Sequence, residues 1–211
     1  MSGAVEELLL KKGLHRLPRE VFGSPRDLIR PGETRERDTL LIACSELGAA
    51  PDNISCATPE RFVVLQHLAA SMPSLAECER FEGVSMLDVQ RLFEDCEFCN
   101  VIVCGHLGCN VIRNWLNPRA KTQRDAGSFR ARFESRTVKL VDSNYDPETT
   151  DDRVQLMICE HVLCQLENLL THRFVDERVR SGWTRLHGWV IDDDSARVMA
   201  YCPRNSTFTR T

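Results

Sequence analysis

NVIVCGHLGC, residues 100–109, is an apolar run followed by glycines, a histidine and a cysteine at close spacing. A short run of β-branched and apolar residues that is broken by a glycine is typical of a buried strand in a parallel sheet. We predict this strand over residues 100–104 and a helix over residues 109–116 behind it. A strand, a tight turn and a helix in this order favour an α/β fold.

Further apolar runs repeat the pattern along the chain. We predict other strands over residues 39–43, 61–65, 185–191 and 197–201, and helices over residues 85–95, 153–171 and 175–180. Asp152 is the predicted cap of the longest helix. Strands that alternate with helices favour a mainly parallel central sheet flanked by helices. Residues 119–152 are highly charged and give no clear pattern.

The N-terminal segment differs from the rest of the chain. Residues 5–12 predict a short amphipathic helix, and Pro18, Pro25 and Pro31 interrupt the stretch after it. We therefore divide the chain into an N-terminal helical arm, residues 1–38, and a folded domain, residues 39–211. Because the arm cannot form a core of its own, we expect it to pack on the domain or on a partner subunit.

The composition and charge of the chain argue against nucleic-acid-binding and membrane-spanning proteins. The chain has 211 residues and a net charge of -4, with no basic stripe, so nucleic acid is not an expected partner. No apolar run has the length of a membrane span, and the first residues lack the features of a signal peptide. We expect a protein of the cytoplasm or of the soluble content of a compartment. Its ten cysteines are then core residues, metal ligands or catalytic groups rather than disulfides.

Two of the cysteines and one histidine follow the ends of predicted strands. Cys44 follows the first strand, and His106 and Cys109 follow the third. Ligands of open α/β sheets bind at the carboxyl ends of strands, so these side chains can converge. Two thiolates and one imidazole suit zinc and leave a fourth position open. The residues alone also allow a second interpretation, in which both cysteines are buried small hydrophobes and the histidine is a hydrogen-bonded loop residue.

Several motifs together resemble the β-class carbonic anhydrases. They are Ala43-Cys44-Ser45, VIVCGHLGC at residues 101–109, LHGWV at 186–190, EHVLCQLENL at 160–169 and RFVV at 61–64. Their order and spacing match over residues 39–201. Either the cysteine–histidine set or the LHGW motif alone is a weak signal, whereas the two in combination are specific.

The resemblance implies a fold, a metal and a reaction. Cys44, His106 and Cys109 would hold Zn²⁺, in a parallel sheet of four strands plus an additional edge strand. The smallest working unit would be a homodimer, alone or as a dimer of dimers. The implied reaction is reversible hydration of carbon dioxide to bicarbonate, in which zinc lowers the pKa of a water molecule and the resulting hydroxide attacks the carbon.

This chain departs from the family pattern beside the first cysteine. The family motif Cys-x-Asp-x-Arg reads CSELG here, with Glu46 in the aspartate position and Gly48 in the arginine position. The resemblance makes Glu46 the candidate catalytic residue. It either orients the reacting water or binds zinc as a fourth ligand, and Arg113 or Arg61 are candidates to replace the missing arginine. Activity is accordingly expected to be weak or pH-gated.

Two more departures lie where the family lines its active cleft. Residues 65–69 read LQHLA in place of the usual Arg-Asn-Ala-Gly-Asn, and Asn110 replaces a glycine. This altered cleft allows two alternative functions. One is hydrolysis of another small linear substrate, carbonyl sulfide or carbon disulfide. The other is an inactive zinc-binding relative that acts in assembly or partner binding.

The remaining candidates have simpler interpretations. Cys96 and Cys99 form a CxxC pair without a second pair, which favours ordinary helix-end cysteines over a redox or zinc site. His161 and His187 are interpreted as structural residues, and the aspartates at 192–194 as a solvated turn. His67 is a possible proton shuttle that no sequence feature places near the metal.

Overall fold

Four parallel strands form one half of the sheet. The computed structural model describes residues 7–24, 28, 37–47, 61–81, 85–117, 128–195 and 197–210. The strands are β1 Glu7–Leu9, β2 Thr39–Cys44, β3 Phe62–His67, β4 Asn100–His106, β5 Arg185–Asp192, β6 Arg197–Cys202 and β7 Thr207–Arg210. Their order across the sheet is β1-β7-β6-β5-β4-β2-β3. Strands β5, β4, β2 and β3 are mutually parallel. Strands β6, β7 and β1 extend the sheet beyond β5, and each of them is antiparallel to the strand before it in this order.

The predicted α/β class is confirmed, and the described strands form a mixed sheet with a parallel part of four strands. All five predicted strands are present, with β6 as the additional strand beside β5. The sheet continues further than predicted, because β7 pairs with β6 and β1 pairs with β7. Strands β2 and β4 consist entirely of buried residues, which explains why their sequences are continuously apolar rather than alternating.

The predicted helix over residues 5–12 is wrong for the part of it that the structure describes. Glu7–Leu9 is a strand, in which Leu8 pairs with Phe208 of β7. Leu10 then lies buried in the core, and Gly13 adopts a φ of 80° where the chain turns. Pairing with an edge strand has overridden a local helical pattern, as tertiary context commonly does.

Helices cover the sheet. They are α1 Leu75–Arg80, α2 Leu87–Asp95, α3 Asn110–Leu116, α4 Phe129–Phe133, α5 Lys139–Asn144, α6 Thr150–Leu170 and α7 Arg173–Arg180, with a π-helical turn over Glu134–Val138 between α4 and α5. Short 3₁₀ turns lie at Arg19–Val21 and Leu68–Ala70. The predicted helices of the folded domain are present, and α4 and α5 occupy part of the segment that gave no clear pattern. No helix among the described residues is long and apolar enough to cross a bilayer.

Helix α6 fixes the sheet from one face. It begins one turn earlier than predicted, because Thr149 rather than Asp152 is the cap. The Thr149 side chain accepts from the Asp152 amide, and Asp152 reciprocates as a capping box. The helix lies so close to β4 that a Cβ at Gly105 would come within 3.0 Å of Val162 Cγ2. Glycine at 105 is therefore needed for close packing.

A buried polar cluster ties the N-terminal segment to α6. His15 contacts Glu160 through Nε2, and its Nδ1 lies 3.2 Å from Glu167 Oε2. Glu160 also accepts from the Tyr145 hydroxyl, and Glu167 accepts from Arg136 Nη2 at 2.6 Å. Burial lowers the pKa of His15, but hydrogen bonds and charges from the two glutamates outweigh it and raise that pKa to about 9. The histidine is thus charged at neutral pH.

This cluster predicts a pH-dependent contribution of His15 to stability. Because the folded-state pKa exceeds the ordinary 6.5, the stabilisation is complete below pH 6.5 and is lost as the pH rises to about 9. The shift corresponds to about 3 kcal/mol. We expect His15→Gln to lower the free energy of unfolding at pH 6 and to flatten its pH dependence in this window, measured by denaturant titration.

Lys12→Gln is the matched control, since it removes a positive charge from the same segment at an exposed side chain. It should leave the pH dependence between 6.5 and 9 unchanged. An unmodified protein whose stability is constant across that window would contradict the assigned role of His15.

Candidate metal centre

Three predicted ligands meet at the carboxyl edge of the sheet. Cys44 ends β2, His106 ends β4, and Cys109 is the residue before α3. Because β2 and β4 are parallel neighbours, their last residues emerge side by side. All three side chains are buried, and the Sγ atoms of Cys44 and Cys109 lie 3.9 Å apart.

The cluster has the dimensions of a zinc site. One ligand atom each from Cys44, Glu46, His106 and Cys109 lie within 4.8 Å of one another. Two sulfurs bound tetrahedrally to zinc at ~2.3 Å would be separated by ~3.8 Å, close to the spacing of the two thiols. Among the described residues, this group alone has histidine, cysteine and acidic side chains at the spacing that a metal ion requires.

His106 leaves one ring nitrogen without a hydrogen-bond partner. Its Nε2 is buried and makes no hydrogen bond, whereas Nδ1 lies 2.8 Å from Asp193 Oδ1. A buried polar atom without a partner costs roughly 1–3 kcal/mol. A metal ion between the thiols and this nitrogen would remove the cost, so the residues present fit the zinc ion that the sequence predicts.

The two thiols of the cluster lie close enough to share a proton. A hydrogen bond with Cys109 lowers the pKa of Cys44, although burial opposes this. The same hydrogen bond, together with burial, raises the pKa of Cys109. A dication bound between the two sulfurs would displace the proton that they share.

Backbone amides, rather than an arginine, hold Glu46. Its Oε2 accepts from the amide of Asn110 at 2.8 Å and from that of Val111 at 3.1 Å. The two arginines proposed from the sequence have other partners: Arg113 donates to Asp151, and Arg61 donates to Asp38 at the opposite end of β2. Neither arginine is hydrogen-bonded to Glu46, and Gly48 lies outside the described residues.

The sequence interpretation misses Asp193. The sequence places this residue in a solvated turn, and its side chain is 38% exposed, yet it contacts both His106 and the amide of Gly108. Asp192 has the expected turn role and accepts from the Asp194 amide and the Ser195 hydroxyl. Because β5 is parallel to β4, a residue just after β5 lies beside the end of β4, and this rule is the signal that could have found Asp193.

Other sequence candidates lie apart from the thiols or have structural roles. His161 is buried in α6 and bonded to Ser71 and Thr137, and burial lowers its pKa to about 3. His187 contacts Asn100 in the core at 3.0 Å. His67 is in register with Cys44 on the neighbouring strand, so it lies at the same edge of the sheet. Its ring faces Phe129 at 6.4 Å. The Cys96–Cys99 pair does not belong to the metal-type cluster.

Comparison with known proteins agrees with this geometry. Residues 39–198 match the family model described as carbonic anhydrase. A carbonic anhydrase of Synechococcus elongatus is 26% identical over 193 residues, which cover 90% of this chain and 70% of the relative. Among solved structures, the β-carbonic anhydrase CcaA has a TM-score of 0.73 at 23% identity, covering 84% of this chain and 85% of that one. A chain from the crystal structures of two tetrameric β-carbonic anhydrases of Sordaria macrospora matches with a TM-score of 0.59 at 15% identity, covering 79% of this chain and 81% of that one.

The family model spans most of the chain, and the structural neighbours have the same α/β architecture. This chain is a member of the β-class carbonic anhydrase family.

Proposed function

We propose that this chain is a zinc-dependent carbonic anhydrase in which Cys44, His106 and Cys109 hold the metal. The observation that carries the proposal is the convergence of two thiols on a buried histidine nitrogen that has no hydrogen-bond partner. Membership of the family supports hydration of carbon dioxide to bicarbonate as the reaction. When bound, zinc supplies a Lewis acid that lowers the pKa of water and makes hydroxide available near neutral pH.

The chain's own residues have distinct roles in this proposal. Cys44 and Cys109 supply two thiolates that formally balance the charge of the dication, and the imidazole of His106 completes the protein ligands. Three protein ligands leave one position for the reacting water. Glu46 stands beside that position with Oε2 occupied by two backbone amides, which leaves Oε1 to accept a hydrogen bond or to reach the metal.

The ligand assignment predicts the metal content of cysteine variants. We expect about one zinc per chain in the unmodified protein, and loss of zinc in Cys109→Ala, because two remaining ligands hold zinc poorly. The measurement is elemental analysis of purified protein after dialysis against a weak chelator.

Cys104→Ala provides a matched control. Cys104 is also a buried cysteine of β4, but its Sγ donates to the Gly105 carbonyl and it lies outside the cluster. This variant should keep its zinc. Full zinc content in Cys109→Ala would overturn the ligand assignment.

Glu46 predicts the pH dependence of the reaction. A carboxylate with a free oxygen competes with hydroxide for the open position, so we expect weak carbon dioxide hydration at neutral pH that increases as the pH rises. Glu46→Asp combined with Gly48→Arg restores the family motif. It should raise neutral-pH activity by about tenfold or more, equivalent to about 1.4 kcal/mol in the barrier. Stopped-flow hydration assays on zinc-verified protein measure both effects.

Gly48→Arg alone is the control for the double variant, because it adds the cation while keeping the longer carboxylate. Rapid hydration by the unmodified protein at neutral pH would contradict competition by Glu46. A zinc-loaded protein that is silent towards carbon dioxide at every pH would contradict the proposed reaction. Assays with carbonyl sulfide and carbon disulfide would then separate another substrate from an inactive relative.

We also propose a homodimer, alone or as part of a dimer of dimers. Residues 7–23 of the arm pack on their own chain, so this proposal rests on the sheet edge and the family. Strand β3 is the last strand of the described sheet, and Val64 and the adjoining Leu68 are 42% and 45% exposed. Such an edge requires protection. Sedimentation at submicromolar concentration should give a dimer or tetramer, whereas a stable folded monomer would contradict the assembly.

A further inference from the structure

Asp193 bridges two parts of the metal-binding loop. It is the residue that follows β5, and its two carboxylate oxygens have different partners. Oδ1 lies 2.8 Å from Nδ1 of His106, and Oδ2 accepts from the amide of Gly108 at 2.5 Å. Since Cys109 is the next residue after Gly108, one carboxylate fixes the histidine ring and the backbone beside the neighbouring ligand.

The loop is shaped to admit this carboxylate. A Cβ at Gly108 would come within 2.9 Å of Asp193 Cγ and Oδ2, so a side chain there would displace the carboxylate. The Leu107 amide also donates to the Ile191 carbonyl at 2.9 Å, which continues the pairing of β4 with β5 into the loop. The approach of Asp193 is therefore fixed by the backbone on both sides.

An acceptor at Nδ1 determines which nitrogen of His106 carries the proton. A carboxylate can only accept, so it selects the tautomer protonated at Nδ1. The lone pair is then on Nε2, the buried nitrogen without a hydrogen-bond partner. Hydrogen bonding of the distal ring nitrogen to a carboxylate orients a ligating histidine and raises its basicity.

We infer that Asp193 is the positioning residue of the metal centre, holding His106 as an Nε2 ligand and setting its distance from Cys109 through the Gly108 amide. The inference rests on the proposed function, since it assumes that the ion binds at these residues. Asp193 acts through His106 and the loop, and it does not touch the reacting atoms. A carboxylate partner of this kind typically contributes about 10–100-fold to metal affinity.

The test compares Asp193→Ala and Asp193→Asn with Asp194→Ala in the full chain. Asp194 is the adjacent exposed acid of the same turn, and its backbone amide rather than its side chain makes the turn's hydrogen bond. Zinc affinity is measured by competition with a chromophoric chelator. The cobalt-substituted proteins are compared by visible absorption, and the His106 tautomer by long-range ¹H–¹⁵N correlation spectra.

We expect Asp193→Ala to weaken zinc binding by about 10–100-fold and to change the cobalt spectrum, while Asp194→Ala matches the unmodified chain. Asp193→Asn keeps one acceptor oxygen but turns an NH2 group towards either His106 Nδ1 or the Gly108 amide, so it should weaken zinc binding less than Asp193→Ala does. If Asp193→Ala is too unstable to measure, the affinity and tautomer of Asp193→Asn decide the question. Unchanged zinc affinity and an unchanged cobalt spectrum in folded Asp193 variants would overturn the inference alone. Absence of zinc binding by the unmodified chain would instead overturn the proposed function.

Discussion

The parallel pairing of β2 with β4 sets the position of the candidate metal centre and of the elements around it. Ala43 lies opposite Cys104, so the chain emerges from both strands at one edge with Cys44 and His106 adjacent. A shift of one residue in this register would turn the Cys44 side chain to the other face of the sheet. The candidate metal centre is thus a product of sheet register, and strands made of buried residues hold that register firmly.

Helix α6, strand β5 and helix α3 position the other residues around the candidate metal centre. Helix α6 lies against the glycine that precedes His106, and the same helix contacts Gly188 of β5, where a Cβ would come within 3.3 Å of Val162. Close packing on both strands holds β5 against β4 and so brings Asp193 to His106. From the other side, the first amides of α3 hold Glu46 beside Cys109. Residues more than eighty positions apart therefore meet because three strand ends share one edge.

The sequence was sufficient for those features that depend on strong local patterns and one topological rule. Continuous apolar runs identified β2 and β4, and the rule that ligands gather at carboxyl strand ends brought Cys44, His106 and Cys109 together. The sequence was insufficient where a contact with a residue far away in the chain determines the local structure or the role of a side chain. Three residues at Glu7–Leu9 became a strand because β7, near the other end of the chain, offers an edge. Asp193 looked like one of three solvated aspartates, because its partners are 85 and 87 residues away. The restraint on Glu46 came from backbone amides, which no side-chain motif records.

X-ray absorption at the zinc edge identifies the atoms bound to the metal in the unmodified protein. We expect two sulfur atoms at ~2.3 Å and an imidazole nitrogen at ~2.0 Å, with one light atom from water or Glu46 in addition. A shell of nitrogen and oxygen atoms without sulfur, or one with four sulfurs, would contradict a centre built from Cys44, His106 and Cys109.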